Sequence, residues 1–142
     1  MSDKQRHVRI YIDGGSRGNP GPAAAGVVIR CAETGDILHR GGIYLGRATN
    51  NVAEYSGLLE GLTKAVSLGA RRVEVVSDSE LLVRQMTGRY RVKNEGLLPL
   101  YRQASELRQQ FDECTFRHVR REENVEADHL VNRALDQRQN VE

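Results

Sequence analysis

Residues 11–29 read YIDGGSRGNPGPAAAGVVI: an apolar start, one aspartate, a burst of glycine and proline, and a second apolar run. An Asp-Gly pair such as Asp13–Gly14 is ordinary hairpin chemistry, so the aspartate alone decides nothing. A dinucleotide-binding loop needs Gly-x-Gly-x-x-Gly at the opening of a helix, and a P-loop ends in Gly-Lys-Ser/Thr; neither describes 14–21. Gly15, Gly18 and Gly21 recur every third residue, but three such triplets are too few for a collagen helix, and the run that follows is strand-like. The stretch therefore reads as a wide hairpin, with Asp13 ending the strand that enters it.

Working outward, Val8, Ile10 and Ile12 alternate with polar or amphipathic neighbours, which is the period of a strand. Downstream, 25–31 and 37–45 predict two more strands, joined by 33–36, whose Gly35 and Asp36 are turn residues. Short links make these three antiparallel. The period then changes. Leu58, Leu62, Ala65 and Val66 share a helical stripe from about Asn51 to a stop at Gly69. Residues 73–77 are a β-branched run, 79–86 a second helix, and Leu97, Leu100, Tyr101, Ala104, Leu107 and Phe111 mark a third. A last strand at 115–119 and a last helix from Val125 to about Gln137 complete the order, leaving 138–142 as a frayed tail. Strands joined through helices are parallel with right-handed crossovers, so the fold class is α/β with a five-stranded mixed sheet.

The 142 residues suit a single domain, 1–142, with an ordered core over 6–137 and short tails. Hydrophobic residues at 39% and charged residues at 28% describe an ordinary globular chain, and no apolar run approaches the length of a membrane helix. The N-terminus shows no apolar signal segment, and Cys31 and Cys114 lack metal-type spacing. Free thiols, no membrane and a cytoplasmic location are the expectations. A net charge of +2 announces no nucleic-acid partner by itself. Arginine supplies nearly all the positive charge, which suits bidentate phosphate contacts or equally reflects selection for heat stability.

Four carboxylates stand at element boundaries: Asp13, Glu54, Asp78 and Asp128. Each has an innocent account. Asp13 is turn chemistry, Asn51-x-x-Glu54 matches a capping box, Asp78 caps the helix it precedes, and Asp128 complements a helix dipole. Two details weigh against that. Glu54 is in phase with Leu58, Leu62 and Ala65, and Asp128 is in phase with Val125, Val131 and Leu135, so both lie on core-facing stripes. An unpaired charge there costs several kcal/mol, on the order of 3–5. No basic residue shares the stripe near Glu54, and Arg121 and Arg133 are the candidates near Asp128. Asp78 ends a strand feeding a helix, where sheets of this kind place their ligand crevice. Four converging acids repel one another unless divalent cations neutralise them, and oxygen-only ligands select hard ions such as Mg²⁺ or Mn²⁺. Two ions roughly 3.5–4 Å apart would activate a water and stabilise the leaving oxygen of a phosphodiester displacement.

Asp13 in YIDGGSRGNPGPAAAG, Glu54 in TNNVAEYSGLLEGL, Asp78 in VVSDSELLV and Asp128 in EENVEADHLVNRA together resemble type 1 ribonuclease H in order, spacing and context, from Val8 to about Leu135. The resemblance implies a ribonuclease H-like sheet with helices on both faces. It also implies an endonuclease that cuts the RNA strand of RNA–DNA hybrids, leaving 3′-hydroxyl and 5′-phosphate ends, with the four acids holding two Mg²⁺ ions and Mn²⁺ as a substitute. By the same match Asn19 touches the RNA strand, and Thr49, Asn50 and Asn51 meet a DNA phosphate and the minor groove, with helix capping as their other reading. Ser16 and Ser79 are weaker candidates for that surface. The expected partner is a hybrid, other RNA duplexes being open, and the expected state is a monomer.

Two departures from the family stand out. Its mobile, histidine-bearing loop is reduced to Arg120–Arg121–Glu122–Glu123, with Arg121, Glu122 and Glu123 as candidates for the lost role; His118 belongs to the strand and His129 merely flanks Asp128. Its extra basic helix is missing, and Arg89, Tyr90, Arg91 and Lys93 in 88–96 read either as a reduced phosphate grip or as a solvated loop. The compact form looks more like archaeal-type members and some bacterial ones. A non-catalytic hybrid-binding module and a DNA-acting nuclease on the same fold remain the alternatives.

Overall fold

The structure, a computed structural model, describes residues 6–142; the N-terminal tail expected over 1–5 lies outside the described residues. Strands β1 (His7–Ser16), β2 (Gly21–Cys31), β3 (Ile37–Ala48), β4 (Arg72–Ser77) and β5 (Glu113–His118) form one sheet in the order β3-β2-β1-β4-β5. The first three pair antiparallel, and β4 pairs parallel with both β1 and β5. Helices α1 (Asn50–Ser67), α2 (Glu80–Met86), α3 (Leu98–Arg108) and α4 (Val125–Gln137) make the connections, with a 3-10 turn over Arg121–Glu123. This is the mixed sheet that the hydrophobic periods predict, and the crossovers follow from the parallel pairings.

Alternation along β1 sends Val8, Ile10 and Ile12 to one face, all fully buried with Val27, Tyr55, Leu58, Leu62 and Val75 against α1 and α3. Each such aliphatic side chain contributes roughly 1.5–3 kcal/mol on burial. The opposite face is covered by α4, where Leu130, Val131, Ala134 and Leu135 meet Ala24 and Val28. Cys31 and Cys114 are unpaired thiols, and among the described residues no helix is long and apolar enough to cross a membrane.

Several expectations are corrected. β1 does not end at Asp13: Gly14, Gly15 and Ser16 continue it opposite Ala25, Ala24 and Ala23, so the turn is tight, only 17–20. Small residues on both strands permit that pairing where β-propensity does not foretell it. α1 is capped by Thr49, whose side chain accepts from Val52 N; the Asn51–Glu54 box does not form and Glu54 falls in the second turn. Ser79, not Asp78, caps α2. Val125 is 62% exposed rather than part of a buried stripe. The C-terminal tail is not frayed. Val141 is buried and exchanges two backbone hydrogen bonds with Gly42, and Asn140 Oδ1 accepts from Tyr44 N. An apolar residue near a chain end gains by covering sheet, a contact too distant in sequence for local periods to register.

Candidate active site

The last parallel pair of β1 and β4 is Ile12 with Ser77, so the next residues, Asp13 and Asp78, emerge side by side at the carboxyl ends of the two strands. Glu54 arrives from α1. A Cβ built on Gly14 would lie 2.4 Å from the Ala53 carbonyl carbon and the Glu54 nitrogen, so the helix rests backbone against backbone beside Asp13. Only glycine permits that approach. The outcome is that carboxylate oxygens of Asp13, Glu54 and Asp78 lie within 4.8 Å of one another. Asp128, in the first turn of α4, lines the same cleft of about 620 Å³ and shares a side-chain hydrogen bond with Asp13.

Burial and mutual repulsion dominate the electrostatics. Asp13 is 7% exposed. Its carboxyl is held well above the usual carboxylate range, first by desolvation and then by Asp78, Glu54 and Asp128. Glu54 is pushed up to about 8 by burial and by Asp78, against opposing contributions from a Ser79 hydrogen bond and the Arg121 charge. Its Oε2 is buried without a hydrogen-bond partner. Among the described residues, no lysine or arginine forms an ion pair with any of the four acids. The Arg121 charge bears on Glu54, and Arg133 donates to the Glu142 main-chain oxygen. A dense set of oxygen donors with an orphaned buried oxygen and no paired cation fits a divalent hard ion.

The other expected site residues distribute unevenly. Ser16 and Asn50 line the cleft. Asn19 is exposed, and its Oδ1 accepts from Asn50 N, while Asn50 Oδ1 accepts from Ser16 N. Ser16 Oγ donates to the Ala48 and Gly18 carbonyls. These bonds tie the β1–β2 turn to the start of α1. Thr49 is occupied as a cap, Asn51 is exposed, and Ser79 both caps α2 and supports Glu54. Arg121 and Glu122 line the cleft and Glu123 does not. His118, set aside in the sequence because it belongs to the last strand, is the final residue of β5 and does line the cleft, as do Arg17 and Asn132. Asn124 was not singled out. It is 2% exposed, and its Nδ2 donates to the Ile12 carbonyl at 2.7 Å. Its place four residues before Asp128 was the available signal.

A mixed sheet whose central strand ends gather a carboxylate cluster defines a class of α/β protein built for hard cations. Residues 11–134 match the family described as Reverse transcriptase-like. Bifunctional protein Rv2228c of Mycobacterium tuberculosis is 50% identical over 91% of this chain and 35% of that protein. Its solved N-terminal RNase H domain superposes with a TM-score of 0.90 at 49% identity, covering 93% of this chain and 95% of that one. Ribonuclease HI of Halobacterium salinarum is 42% identical over 94% of this chain and 67% of the relative. LC11-RNase H1, solved in complex with an RNA/DNA hybrid, gives a TM-score of 0.87 at 43% identity, covering 92% of this chain and 98% of that one. The chain belongs to the type 1 ribonuclease H family. It spans only about a third, 35%, of the Mycobacterium relative's length.

Proposed function

We propose that this chain is an endoribonuclease that hydrolyses the RNA strand of RNA–DNA hybrids, with two Mg²⁺ ions, or Mn²⁺ in their place, held by Asp13, Glu54, Asp78 and Asp128. The observation that carries the reading is the unpaired set of Asp13, Glu54 and Asp78 oxygens within 4.8 Å of one another at the strand ends. Two bound hard ions supply Lewis acidity and charge neutralisation for an in-line displacement at phosphorus, leaving 3′-hydroxyl and 5′-phosphate ends. The chain's own contribution is placement. Asp13 and Asp78 are fixed by the rigid sheet, Glu54 by α1 docked on Gly14, and Asp128 by α4.

Substrate contact follows from hydrogen-bond accounting. With their Oδ1 atoms engaged by backbone N–H groups, Asn19 and Asn50 keep their amide Nδ2 donors for phosphate oxygens, 2′-hydroxyls or minor-groove acceptors. Asn51 is exposed beside them, and Thr49, Ser16 and Ser79 contribute mainly by holding the surface in shape. The hybrid-bound relative LC11-RNase H1 supports the substrate class. All the acids come from one chain, which suits a monomer, and the two free thiols suit the reducing cytoplasm.

The test is cleavage of matched RNA–DNA, RNA–RNA and DNA–DNA duplexes in Mg²⁺ or Mn²⁺, with Asp13→Asn and Asp78→Asn as controls. The reading expects the RNA strand of the hybrid to be cut, and both variants to bind hybrid without cutting it. Binding without cleavage by the unaltered protein would make it a hybrid-binding module, and cleavage of DNA would make it a DNA nuclease.

A further inference from the structure

Asp13, Gly26 and Gly42 occupy one register row across β1, β2 and β3. α4 crosses the sheet on that row. A Cβ on Gly26 would lie 2.2 Å from the Ala127 carbonyl oxygen, and one on Gly42 would lie 2.6 Å from the Leu130 carbonyl oxygen. No side-chain carbon sits so close to an oxygen, so the helix backbone reaches the sheet only because these two rungs carry no side chain. Ala127 immediately precedes Asp128. One turn earlier, the buried Asn124 donates from Nδ2 to the carbonyl of Ile12, the residue before Asp13, and its own carbonyl accepts from Asp128 N. A sheet contact and a side-chain tie thus bracket Asp128. The other three acids owe their positions to β1, β4 and α1, and Asp128 meets them from the opposite face of the sheet through a side-chain hydrogen bond with Asp13.

We propose that Gly26 and Asn124 are positioning residues: the Cβ-free row and the Asn124 tie set the distance of Asp128 from Asp13, and with it the affinity of the site for divalent cations and its turnover. This rests on the proposed function. Neither residue lines the acid cleft; each acts by setting Asp128 against Asp13. Any change at either position should therefore read out as a change in what Asp128 does.

The experiment places Gly26→Ala and Asn124→Ala in the unaltered chain and in an Asp128→Asn background, with Val141→Ala as a control that loosens the same face without lining the acid cleft. Folding is checked by circular dichroism. Mn²⁺ binding without nucleic acid is measured by calorimetry, and hybrid cleavage by kcat and KM. In the unaltered background each positioning variant is expected to lower kcat and weaken Mn²⁺ binding about tenfold or more, as loss of a ligand-orienting group does, with KM for hybrid within about twofold. In the Asp128→Asn background neither variant should cost anything further, because the residue each serves is already disabled. Undiminished losses in that background, or equal losses in Val141→Ala at matched stability, would overturn the proposal. Should Gly26→Ala fail to fold, Asn124→Ala decides the question by the same comparison. If the unaltered protein binds Mn²⁺ but cuts no hybrid, the proposed function falls, and the calorimetric comparison still decides this inference.

Discussion

Against one face of the sheet, α1 and α3 bury large side chains, with Ile10, Ile12, Tyr55, Leu58 and Leu62 almost wholly removed from water. Against the other, α4 lies alone on alanines, valines and two glycine rungs, its backbone touching the strands at Gly26 and Gly42. Both faces deliver an acid to the same cleft, but by different means. Glu54 comes from a long helix anchored along its whole buried stripe. Asp128 comes from the first turn of a shorter helix held by a narrow seat and one buried amide. The difference teaches that the cluster has a rigid part, Asp13, Asp78 and Glu54, and a separately seated fourth member.

The largest effect should come from the rigid part. Asp13→Asn or Asp78→Asn is expected to lower hybrid cleavage about 10³-fold, the loss of several kcal/mol of charge stabilisation. A steady-state assay against unchanged hybrid binding checks it. Next is the contrast in packing. Leu62→Ala opens a cavity in the close-packed α1 face and should cost about 3–5 kcal/mol in urea unfolding, whereas Leu135→Ala, at the rim of the α4 face, should fall nearer 2 kcal/mol. Equal losses would dissolve the distinction between the faces.

Asp128→Asn should cost less than the triad substitutions, about 10–100-fold in kcat, and should raise the Mg²⁺ concentration for half-maximal rate. A loss as large as that of Asp13→Asn would place Asp128 inside the rigid group. The smallest effect has the opposite sign. Glu54 has its carboxyl pushed from the ordinary 4.5 to about 8, so the folded state keeps a proton that the unfolded chain releases over that interval. Without cation, this group's contribution is fully favourable below about pH 4.5 and is lost as pH rises toward 8; Asp13 acts in the same direction. Glu54→Gln should therefore stabilise the cation-free protein at pH 8 by roughly 1–2 kcal/mol, a few degrees in Tm, while impairing cleavage. Thermal melts at pH 5 and pH 8 in chelator would show it, and the gain should shrink at the lower pH.

Much of this was legible in the sequence, and the reasons are specific. Val8, Ile10 and Ile12 alternate because one face of β1 is core, and Glu54 stays in phase with Leu58 and Leu62 because α1 carries it along a buried stripe. What could not be read depends on contacts between distant backbones. Gly14 to Ser16 have no strand signal of their own and are strand only because Ala23 to Ala25 lie opposite. Val125 matched a buried spacing but opens α4 and is exposed. The acids themselves were readable one by one, and the way two helices bring Glu54 and Asp128 to them was not, since it follows from where Gly14 and Gly26 let those helices touch the sheet.

The central claim is that a divalent ion takes the place of the protons that burial and neighbouring charge favour on Asp13 and Glu54. Calorimetric titration of Mn²⁺ into the protein without nucleic acid near pH 7, in two buffers of different ionisation enthalpy, tests it directly. Saturable binding with net proton release, abolished in Asp13→Asn, is the predicted result. Absence of saturable binding, or binding that releases no proton, would contradict the account.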